Sequence, residues 1–374
     1  MVSIMAVIMV TMEMRSNMKR IVALLVLVLL LTACGSKNVQ EETPTVTETE
    51  ETVEVEETKE IKLYAMFGVD SRPNAYGAGT RSDSIMIIAV DDNTGTIKVA
   101  SIYRDTLAHI EGRDQFEKIT HAHAYGGPEL AVSTLNENFD FNIEDYVTFN
   151  FNSAAELIDS IGGIEQEIDE SEVAVINGYI DEVNKLRGTS SAHITTAGTY
   201  NLDGTEAVAY SRIRYTDGAD FKRTERQRTI LFKVFEKAKD LSTTEKASIV
   251  TSMLNMVSTS LDEDDVLKLL NKISNYEISD MEGYPKKGYS GLLDIYSYGA
   301  RYVEIPYTLE DMVKELHAFL LHEENYEVSE KVKEYSDYEE SLVDEINYDI
   351  SSEYGNGEDS DILGESVTET TNEQ

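Results

Sequence analysis

The segment from Asp70 to Asp105 constrains the fold of this chain more than any other stretch of the sequence. It contains two apolar, β-branched runs, Ile85–Val90 and Ile97–Ile102, separated by the turn-forming residues Asp-Asp-Asn-Thr-Gly. Such runs on both sides of a turn predict a β-hairpin. Charged side chains lie where the predicted strands end, namely Asp70, Arg72, Arg81, Asp83, Arg104 and Asp105. Arginines and carboxylates that meet at strand ends are typical of a metal-assisted phosphate site.

Beyond the hairpin, strand and helix patterns alternate through the first half of the chain, and this alternation predicts an α/β sheet covered by helices. Strands are expected at 61–67, 145–151, 164–168, 276–279 and 301–305. Helices are expected at 129–139, 153–160 after an Asn152 cap, from 205 to about 211, and at 220–239, 244–258, 263–274 and 308–321. Residues 170–200 have an ambiguous pattern.

The negative charge of the chain is concentrated near its ends. The formal net charge is −38, and residues 37–60 and 323–374 together carry −23 of it. Low complexity and like charge predict that the first of these segments is a disordered tether and the second a disordered acidic tail. Such acidity disfavours nucleic acid as a partner, because phosphate neutralisation by Lys and Arg dominates that binding.

Arginine is distributed differently from the acidic residues. Ten of the thirteen arginines lie between Arg72 and Arg228. Any one of them can be explained as a weak surface ion pair. The clustered set is better explained by phosphate recognition, for which the planar guanidinium is suited.

The N-terminal region has the pattern of a secretory signal. Met18-Lys19-Arg20 precedes the apolar run Ile21–Leu31, and small residues follow it. The ending Leu-Thr-Ala-Cys looks like a lipobox, and by that resemblance Cys34 is the lipidated first residue of the mature protein. The apolar run is about 11 residues long, whereas a membrane span needs roughly 20. Residues 1–33 are therefore interpreted as a signal peptide, in which 1–17 is an over-extended start, and residues 34–60 as the lipidated Cys34 and its tether.

Several short blocks, taken in order, resemble the LytR-CpsA-Psr family of cell-envelope proteins. The resemblance is close over 61–240 and looser to 322, which predicts one catalytic domain at 61–322. The blocks are GVDSR, RSDSIMI, SIYRD, KITHAHAYGG, DYVTFNF, DSIGGI, LDGTEAVAYSRIR and DFKRTERQR. Tyr103 departs from the family, which usually has Pro before the Arg-Asp pair. His121 and His123 suggest a metal site only superficially, because two ligands are too few, and we interpret both as structural.

The resemblance implies an extracytoplasmic phosphotransferase, lipid-anchored to the cell membrane of a Gram-positive bacterium. Family members move a glycopolymer, such as teichoic acid or capsule, from undecaprenyl diphosphate to peptidoglycan and release undecaprenyl phosphate. It also implies a three-layer α-β-α fold, with a central mixed sheet flanked by helices and a hydrophobic tunnel for the polyprenyl chain.

The resemblance and the chemistry together define a candidate site. Asp70 and Asp83 match the positions that hold Mg²⁺ (or Mn²⁺) in the family, and both belong to the catalytic set. The other predicted catalytic residues are Arg72, Arg81, Arg104, Asp105, Arg212 and Arg214. The predicted substrate-binding residues are Lys118, Asp220, Arg223, Arg226 and Gln227. Arg212 and Arg214 would share a face only in an extended segment. Positions 223, 226 and 227 stack on one helical face, at a helix N-terminus that favours anions.

Some choices stay open at this level. The general base is Asp105 or a metal-bound aspartate, and direct transfer without a covalent enzyme intermediate is preferred. A hydrolase of polyprenyl diphosphates and a non-catalytic lipid-phosphate binding protein are alternatives. A transcription attenuator is disfavoured by the secretion signal and the acidity.

Overall fold

The computed structural model describes residues 61–70, 76–214, 219–294 and 301–348. Among these residues the strands are β1 Lys62–Val69, β2 Ser82–Asp91, β3 Thr96–Ile102, β4 Leu107–Ala108, β5 Glu117–Lys118, β6 Asp145–Asn150, β7 Ile164–Ile168, β8 Gly198–Leu202, β9 Ser258–Thr259, β10 Glu277–Tyr284, β11 Gly288–Leu293 and β12 Arg301–Pro306. The helices are α1 Thr120–Phe139, α2 Phe151–Ser160, α3 Glu170–Arg187, α4 Gly204–Ser211, α5 Ala219–Lys239, α6 Thr243–Met253, α7 Glu263–Lys272, α8 Leu309–Leu321 and α9 Glu330–Leu342. The predicted signal, Cys34 and the tether lie outside the described residues.

The centre of the fold is a six-stranded mixed sheet in the order β10-β3-β2-β1-β6-β9. Strand β2 is antiparallel to both β1 and β3, which confirms the predicted hairpin. Strand β6 runs parallel to β1, and β10 runs parallel to β3. Consequently the carboxyl ends of β1, β3, β6 and β10 lie at the same edge of the sheet as the beginning of β2.

Helices cover both faces of this sheet. Leu63, Ala65 and Phe67 of β1 belong to one buried apolar cluster, which also contains residues of α1 and α8. Met86 of β2 belongs to a second cluster, in which Phe235 of α5 packs against the other face. A strand covered on both faces is apolar at nearly every position, which is why the hairpin strands read as continuous apolar runs. The predicted three-layer α-β-α arrangement is confirmed.

The segment 170–200, ambiguous in sequence, forms helix α3 and leads into strand β8, which pairs with β7. Asp169 caps α3 through a reciprocal capping box with Glu172, and Gly188 ends it in the left-handed conformation. Arg187, whose side chain is only 4% exposed, binds Glu156 and Asp159 of α2 at 2.8 Å each. Together with a 2.8 Å hydrogen bond from Arg187 Nη1 to Thr205 Oγ1 of α4, these contacts fix α3 beside α2 and α4.

One local prediction needs correction and another is confirmed. The cap of α2 is Asn150, whose side chain accepts a hydrogen bond from the Ser153 backbone N–H, rather than Asn152. The predicted helix at 129–139 is confirmed: α1 includes a first helical segment from Thr120, and the non-helical backbone of Gly127 (φ 75°, ψ −166°) separates it from the segment that continues to Phe139.

The prediction that residues from 323 onward form a disordered acidic tail is wrong for the part that the structure describes. Val328 and Val332 are buried in the cluster of α1 and α8, while Leu342 and Ile346 are buried against β11 and β12. The Leu292 and Asn347 backbones exchange two hydrogen bonds of 2.8 Å. The apolar residues recur at helical spacing, but the many acidic residues between them obscure the pattern. Residues 349–374 lie outside the described part of the chain.

The length and hydropathy of the helices bear on membrane insertion. Within the described ranges, no helix combines the length and apolar character required to span a bilayer.

The docking of α9 predicts a stability effect from one buried residue. Leu342→Ala should lower the free energy of unfolding by about 2–4 kcal/mol, because it removes buried methyl groups and leaves a cavity. Lys333→Ala on the same helix is the matched surface control, with an expected change within about 0.5 kcal/mol. Urea unfolding followed by circular dichroism measures both. Equal effects of the two variants would contradict the docking of this helix.

Glu339 of α9 predicts a pH dependence of stability. Its side chain is buried, its carboxylate oxygens have no hydrogen-bond partner among the described residues, and burial raises its pKa well above 4.5. Because the folded state favours the protonated form, this group's contribution to stability falls as the pH rises from about 4.5 toward the folded pKa. Glu339→Gln should therefore be increasingly more stable than the natural protein as the pH rises from 4 to 8. Asp337→Asn, on the exposed side of α9, is the control, and a stability gap for Glu339→Gln that does not grow with pH would refute the prediction.

Candidate active site

The predicted site residues collect at the edge of the sheet where β1, β3 and β6 end. Asp70 follows β1, Asp83 lies near the beginning of β2, and Arg104 follows β3. The strand register sets these positions side by side, since Val69 pairs with both Ser82 and Asn150. They form part of a polar cleft of about 520 Å³, which is lined by Asp70, Arg81, Asp83, Arg104, Phe151, Val175, Gly178, Tyr179, Glu182, Arg212, Arg214, Arg223 and Gln227.

One wall of the cleft is held by a chain of ion pairs that starts at Asp83. Arg104 Nη1 lies 2.8 Å from Asp83 Oδ1, and Arg104 Nε lies 3.4 Å from Asp105 Oδ2. Lys118 Nζ lies 3.0 Å from Asp105 Oδ1. The Asp105 and Lys118 side chains are only 10% and 12% exposed, and neither lines the cleft. The structure thus places these two predicted site residues behind Arg104, where they fix its guanidinium.

The opposite wall is formed by α3 and by the segment that follows α4. Arg212 Nη2 lies 3.1 Å from Glu182 Oε2, and its guanidinium lies over the rings of Phe151 at 4.6 Å and Tyr179 at 5.6 Å. The Arg214 backbone N–H donates a hydrogen bond of 3.3 Å to the Tyr179 hydroxyl. Arg212 and Arg214 follow the end of the helix and both line the cleft. The Arg212 backbone keeps right-handed helical dihedral angles (φ −99°, ψ −9°), so the extended geometry that the sequence predicted for this segment is wrong at Arg212.

Helix α5 begins near residue 220, as predicted, and contributes two of its four predicted residues to the cleft. Arg223 and Gln227 line it, and Arg223 Nη2 donates a 3.1 Å hydrogen bond to the Asp83 carbonyl oxygen. Arg226 is instead buried, with Nε 2.9 Å from Glu172 Oε1 and Nη1 3.3 Å from the Ile213 carbonyl oxygen. With 3.6 residues per turn, position 227 lies closer than position 226 to the direction of Arg223. The predicted assignment of Arg226 to the substrate-binding set is therefore corrected: it joins α5 to the beginning of α3.

Asp70 and Arg81 lie at the exposed side of the cleft. Within the described residues, neither makes a hydrogen bond or an ion pair, so both remain available to a ligand. Of the other predicted residues, Arg72 lies outside the described residues, as does the side chain of Asp220. The backbone of Asp220 belongs to the first turn of α5.

The two histidines of the His-x-His pair have structural partners. His123 is buried and its Nδ1–H donates a 2.8 Å hydrogen bond to the Thr80 carbonyl oxygen. His121 Nδ1 lies 2.9 Å from the buried carboxylate of Glu117. Burial lowers the pKa of both imidazoles, and the positive charges of Lys118 and Arg81 lower that of His121 further. Their contacts agree with the structural interpretation made from the sequence.

An apolar groove of about 190 Å³ adjoins the polar cleft. The two cavities share Asp83, Phe151 and Gln227. Side chains from the sheet, α2, α4 and α5 line the groove, including Met66, Met86, Leu157, Val208, Ile230, Leu231 and Val234. Its position, between the sheet and the helices and next to the arginines, is that expected of the polyprenyl tunnel.

The carboxylates that could hold the predicted magnesium ion are those of Asp70 and Asp83. Asp70 has no partner among the described residues, and Asp83 engages Arg104 through one oxygen, Oδ1. Mg²⁺ is commonly held by one or two carboxylates and is completed by water and substrate phosphates. The described residues contain no cage of three or more His, Cys, Asp or Glu side chains that would hold a metal ion without a substrate. The donor set therefore fits a metal ion that a phosphate ligand completes.

Sequence reasoning missed the contribution of α3 to the cleft. Val175, Gly178, Tyr179 and Glu182 occur at i, i+3, i+4 and i+7, the spacing of one helical face. This spacing was a usable signal of a helix. A face that contains a glycine and a carboxylate has the pattern of an ordinary exposed helical surface, so the spacing alone does not identify it as a cleft wall.

Comparison with known proteins places this architecture among cell-envelope proteins. The profile of the LytR_cpsA_psr family matches residues 28–315. A Bacillus cereus protein named polyisoprenyl-teichoic acid–peptidoglycan teichoic acid transferase TagU is 28% identical over 251 residues, which cover 66% of this chain and 76% of that protein.

Solved structures share the fold. A structure of TagT bound to LIIa-WTA is 27% identical with a TM-score of 0.55, and the match covers 70% of this chain and 92% of that chain. A structure of the LytR-CPS2A-psr family protein YwtF (TagT) with bound octaprenyl pyrophosphate lipid is 25% identical with a TM-score of 0.51, and the match covers 70% and 91%. The sheet, the arginine-lined cleft and the adjoining groove all lie within the matched residues, and the chain belongs to the LytR-CpsA-Psr family.

Proposed function

We propose that this protein transfers a glycopolymer of the teichoic acid or capsule type from an undecaprenyl-diphosphate carrier to peptidoglycan and releases undecaprenyl phosphate. The observation that carries the proposal is the junction of an arginine-lined cleft with an apolar groove through Asp83, Phe151 and Gln227. A ligand that occupies both cavities needs an anionic head and a long hydrocarbon chain. The names of the related transferases and the octaprenyl pyrophosphate bound to YwtF support this ligand class.

The arginines supply most of the electrostatic contribution. Diphosphate cleavage leaves an additional negative charge on the departing phosphate, so positioning and charge stabilisation dominate catalysis. The cleft presents five arginines, Arg81, Arg104, Arg212, Arg214 and Arg223. Arg104 and Arg223 are both bonded to Asp83, and a guanidinium that is already held needs little reorganisation when the charge develops.

The proposed reaction is a direct displacement at phosphorus. The acceptor hydroxyl oxygen attacks the phosphorus that carries the polymer, and a new P–O bond forms. The bond from that phosphorus to the bridging oxygen breaks, and its electron pair leaves with undecaprenyl phosphate. The hydroxyl proton passes to Asp70 or Asp83, because Asp105 is engaged by two cations and does not line the cleft. Among the described cleft-lining residues none is a serine, threonine, cysteine or histidine, the Tyr179 hydroxyl is bonded to the Arg214 backbone N–H, and the two aspartates have the roles of proton acceptor and metal ligand in this proposal. We therefore favour transfer without a covalent enzyme intermediate.

A divalent cation completes the proposal. Asp70 and Asp83 would hold Mg²⁺ or Mn²⁺, which would neutralise part of the diphosphate charge when bound. The five arginines of the cleft would still orient the phosphates from its other sides.

The sequence pattern before Cys34 supports a location at the extracytoplasmic face of the membrane. We propose that Cys34 is lipidated and anchors the domain to the extracytoplasmic face of the membrane, because a basic start, a short apolar run and Leu-Thr-Ala precede it.

Cys34→Ser should leave the signal uncleaved at this position and should remove the lipid from the mature protein. Mass spectrometry of the membrane fraction measures the N-terminal peptide, and an unmodified Cys34 in the natural protein would contradict the anchor.

The transfer reaction predicts unequal effects of two arginine substitutions. Arg104→Ala should lower the rate of undecaprenyl phosphate release by about 100-fold or more, because it removes a preorganised cation from the site of developing charge. Arg113→Ala is the matched control: Arg113 packs over the Tyr125 ring at 4.2 Å, does not line the cleft and should change the rate less than about twofold. The assay uses a lipid-diphosphate-linked sugar and Mg²⁺, with and without uncrosslinked peptidoglycan strands.

The same assay separates the alternatives. Sugar that appears on the peptidoglycan establishes transfer, whereas release without acceptor labelling indicates a hydrolase. Tight lipid binding without turnover would indicate a binding protein.

Chelation with EDTA should abolish release and added Mg²⁺ or Mn²⁺ should restore it, and Asp70→Asn should prevent this rescue. Full activity in EDTA would refute the metal assignment.

A further inference from the structure

Arg81 is held in the cleft differently from Arg104 and Arg212. Carboxylates bind the guanidinium groups of Arg104 and Arg212 directly. Arg81 immediately precedes β2, and its side chain is exposed, lines the cleft and makes no ion pair within the described residues. The position of its guanidinium therefore depends on whatever fixes the backbone on either side of it.

The first segment of α1 holds the peptide carbonyls on both sides of Arg81. His123 Nδ1–H donates a 2.8 Å hydrogen bond to the Thr80 carbonyl oxygen. Thr120 Oγ1 donates a 2.8 Å hydrogen bond to the Ser82 carbonyl oxygen. Thr120 and His123 are three positions apart and so lie on one helical face. A single helical segment thus fixes the chain before and after this arginine.

The break in α1 adds a third contact to the loop that leads to this arginine. In a continuous helix the Ala124 carbonyl would accept a hydrogen bond from the residue four positions later, but Pro128 has no N–H to donate. The Ala124 carbonyl instead accepts a 2.8 Å hydrogen bond from the Gly79 backbone N–H. The loop also passes close to Gly127, where an added Cβ atom would lie 3.4 Å from the Ala78 backbone nitrogen. The sequence Gly-Gly-Pro therefore makes a docking place for the loop.

The surroundings of His123 indicate what its polarity is used for. The side chain is fully buried, and its ring packs edge-on against Phe67 with the ring centroids 5.7 Å apart. Its Nε2 is buried without a hydrogen-bond partner in the described part of the chain, which costs stability that an apolar ring would not cost. The side-chain hydrogen bonds that the structure gives this histidine all go to Thr80. A histidine at this apolar position is explained by the carbonyl that it holds.

We propose that His123 and Thr120 are positioning residues for Arg81, which fix the backbone on both sides of it and so preorganise its guanidinium for the charge of the phosphates. The proposal rests on the proposed function, because the lipid diphosphate is the ligand that Arg81 would meet. The same segment also reaches a second cleft arginine, since the Thr120 backbone N–H donates a 3.1 Å hydrogen bond to the Arg104 carbonyl oxygen.

The first test removes the donor of His123 and keeps its ring. His123→Phe loses the Nδ1–H and retains an aromatic ring against Phe67, whereas His123→Asn retains a side-chain N–H near the Nδ1 position. The full-length protein is assayed with the lipid-diphosphate-linked sugar, Mg²⁺ and peptidoglycan strands. His123→Phe should lower kcat about tenfold and leave the KM for the lipid within about twofold, because a misplaced cation costs more in the transition state than in the ground state. His123→Asn should restore kcat to within about threefold of the natural protein.

A double-mutant cycle separates positioning from a general loss of structure. Arg81→Ala should lower kcat about 100-fold. When His123→Phe is added to Arg81→Ala, kcat should change by less than about twofold, because the arginine that the histidine positions is already absent. Two effects that multiply in the double variant would show that His123 acts elsewhere and would overturn the proposal.

Thr120→Val is a second variant that decides the question if His123→Phe does not fold. It removes the hydroxyl that binds the Ser82 carbonyl and nearly conserves the shape of the side chain. Thr134→Val is the matched control, because Thr134 is also buried on α1 but its hydroxyl bonds to the Leu130 carbonyl of the same helix. Thr120→Val should lower kcat about tenfold and Thr134→Val less than about twofold. Equal effects of the two variants would refute a positioning role for α1.

Failure of the proposed function has a different signature, because the natural protein would then turn over none of these substrates. The contact is in that case measured without activity, by hydrogen exchange of the peptide 76–82. His123→Phe should raise the exchange rate of this peptide about tenfold, since the Gly79 amide loses its protection, whereas His123→Asn should not. The peptide 129–139 of α1 is the internal control and should exchange at the natural rate. Unchanged exchange of 76–82 in His123→Phe would overturn the inference whatever the cleft binds.

Discussion

The arginines that line one cleft repel each other, and the surrounding structure compensates this repulsion. Five guanidinium groups line the cavity, and each nearby carboxylate or carbonyl compensates part of that charge. Asp83 holds Arg104 through its side chain and Arg223 through its backbone, Asp105 and Lys118 support Arg104 from behind, and Glu182 holds Arg212. Arg104 on one wall and Arg212 on the other are therefore both held, and partly neutralised, by carboxylates.

The mixed sheet makes this arrangement possible. Because β1 and β6 are parallel and β2 returns antiparallel between β1 and β3, residues distant in sequence meet at one edge. The second wall depends on a different interaction, the buried pair of Arg226 and Glu172, which joins α5 to the first turn of α3. Tyr210 lies beside this pair, and burial raises its pKa to about 12. Removal of one partner of a buried ion pair is strongly destabilising, because the remaining charge is buried without compensation. The pair therefore fixes the position of α3.

The described part of the C-terminal segment belongs to the same packed domain. The family profile ends at residue 315, whereas α9 and the residues after it continue to bury apolar side chains against α1, α8 and the β11–β12 hairpin. None of the described residues of helix α9 lines the cleft, and their contacts are structural. It buries the Glu339 carboxyl, whose pKa is raised, so the acidity of this segment is only partly a surface property.

The sequence by itself determined the hairpin, the layered α/β class and most of the cleft residues, because strands covered on both faces leave long apolar runs and charged residues follow them. It also predicted Arg212 and Arg214 as site residues, and both line the cleft. Only the tertiary structure decided that Arg226 turns away toward Glu172, that Asp105 and Lys118 lie behind Arg104, and that α3 supplies a wall of the cleft. Those outcomes depend on which face of a helix meets which neighbour, and a local pattern does not specify the neighbour. The folded segment after residue 323 was missed for the same reason: its charge is visible in the sequence, but the surface against which its apolar face packs is not.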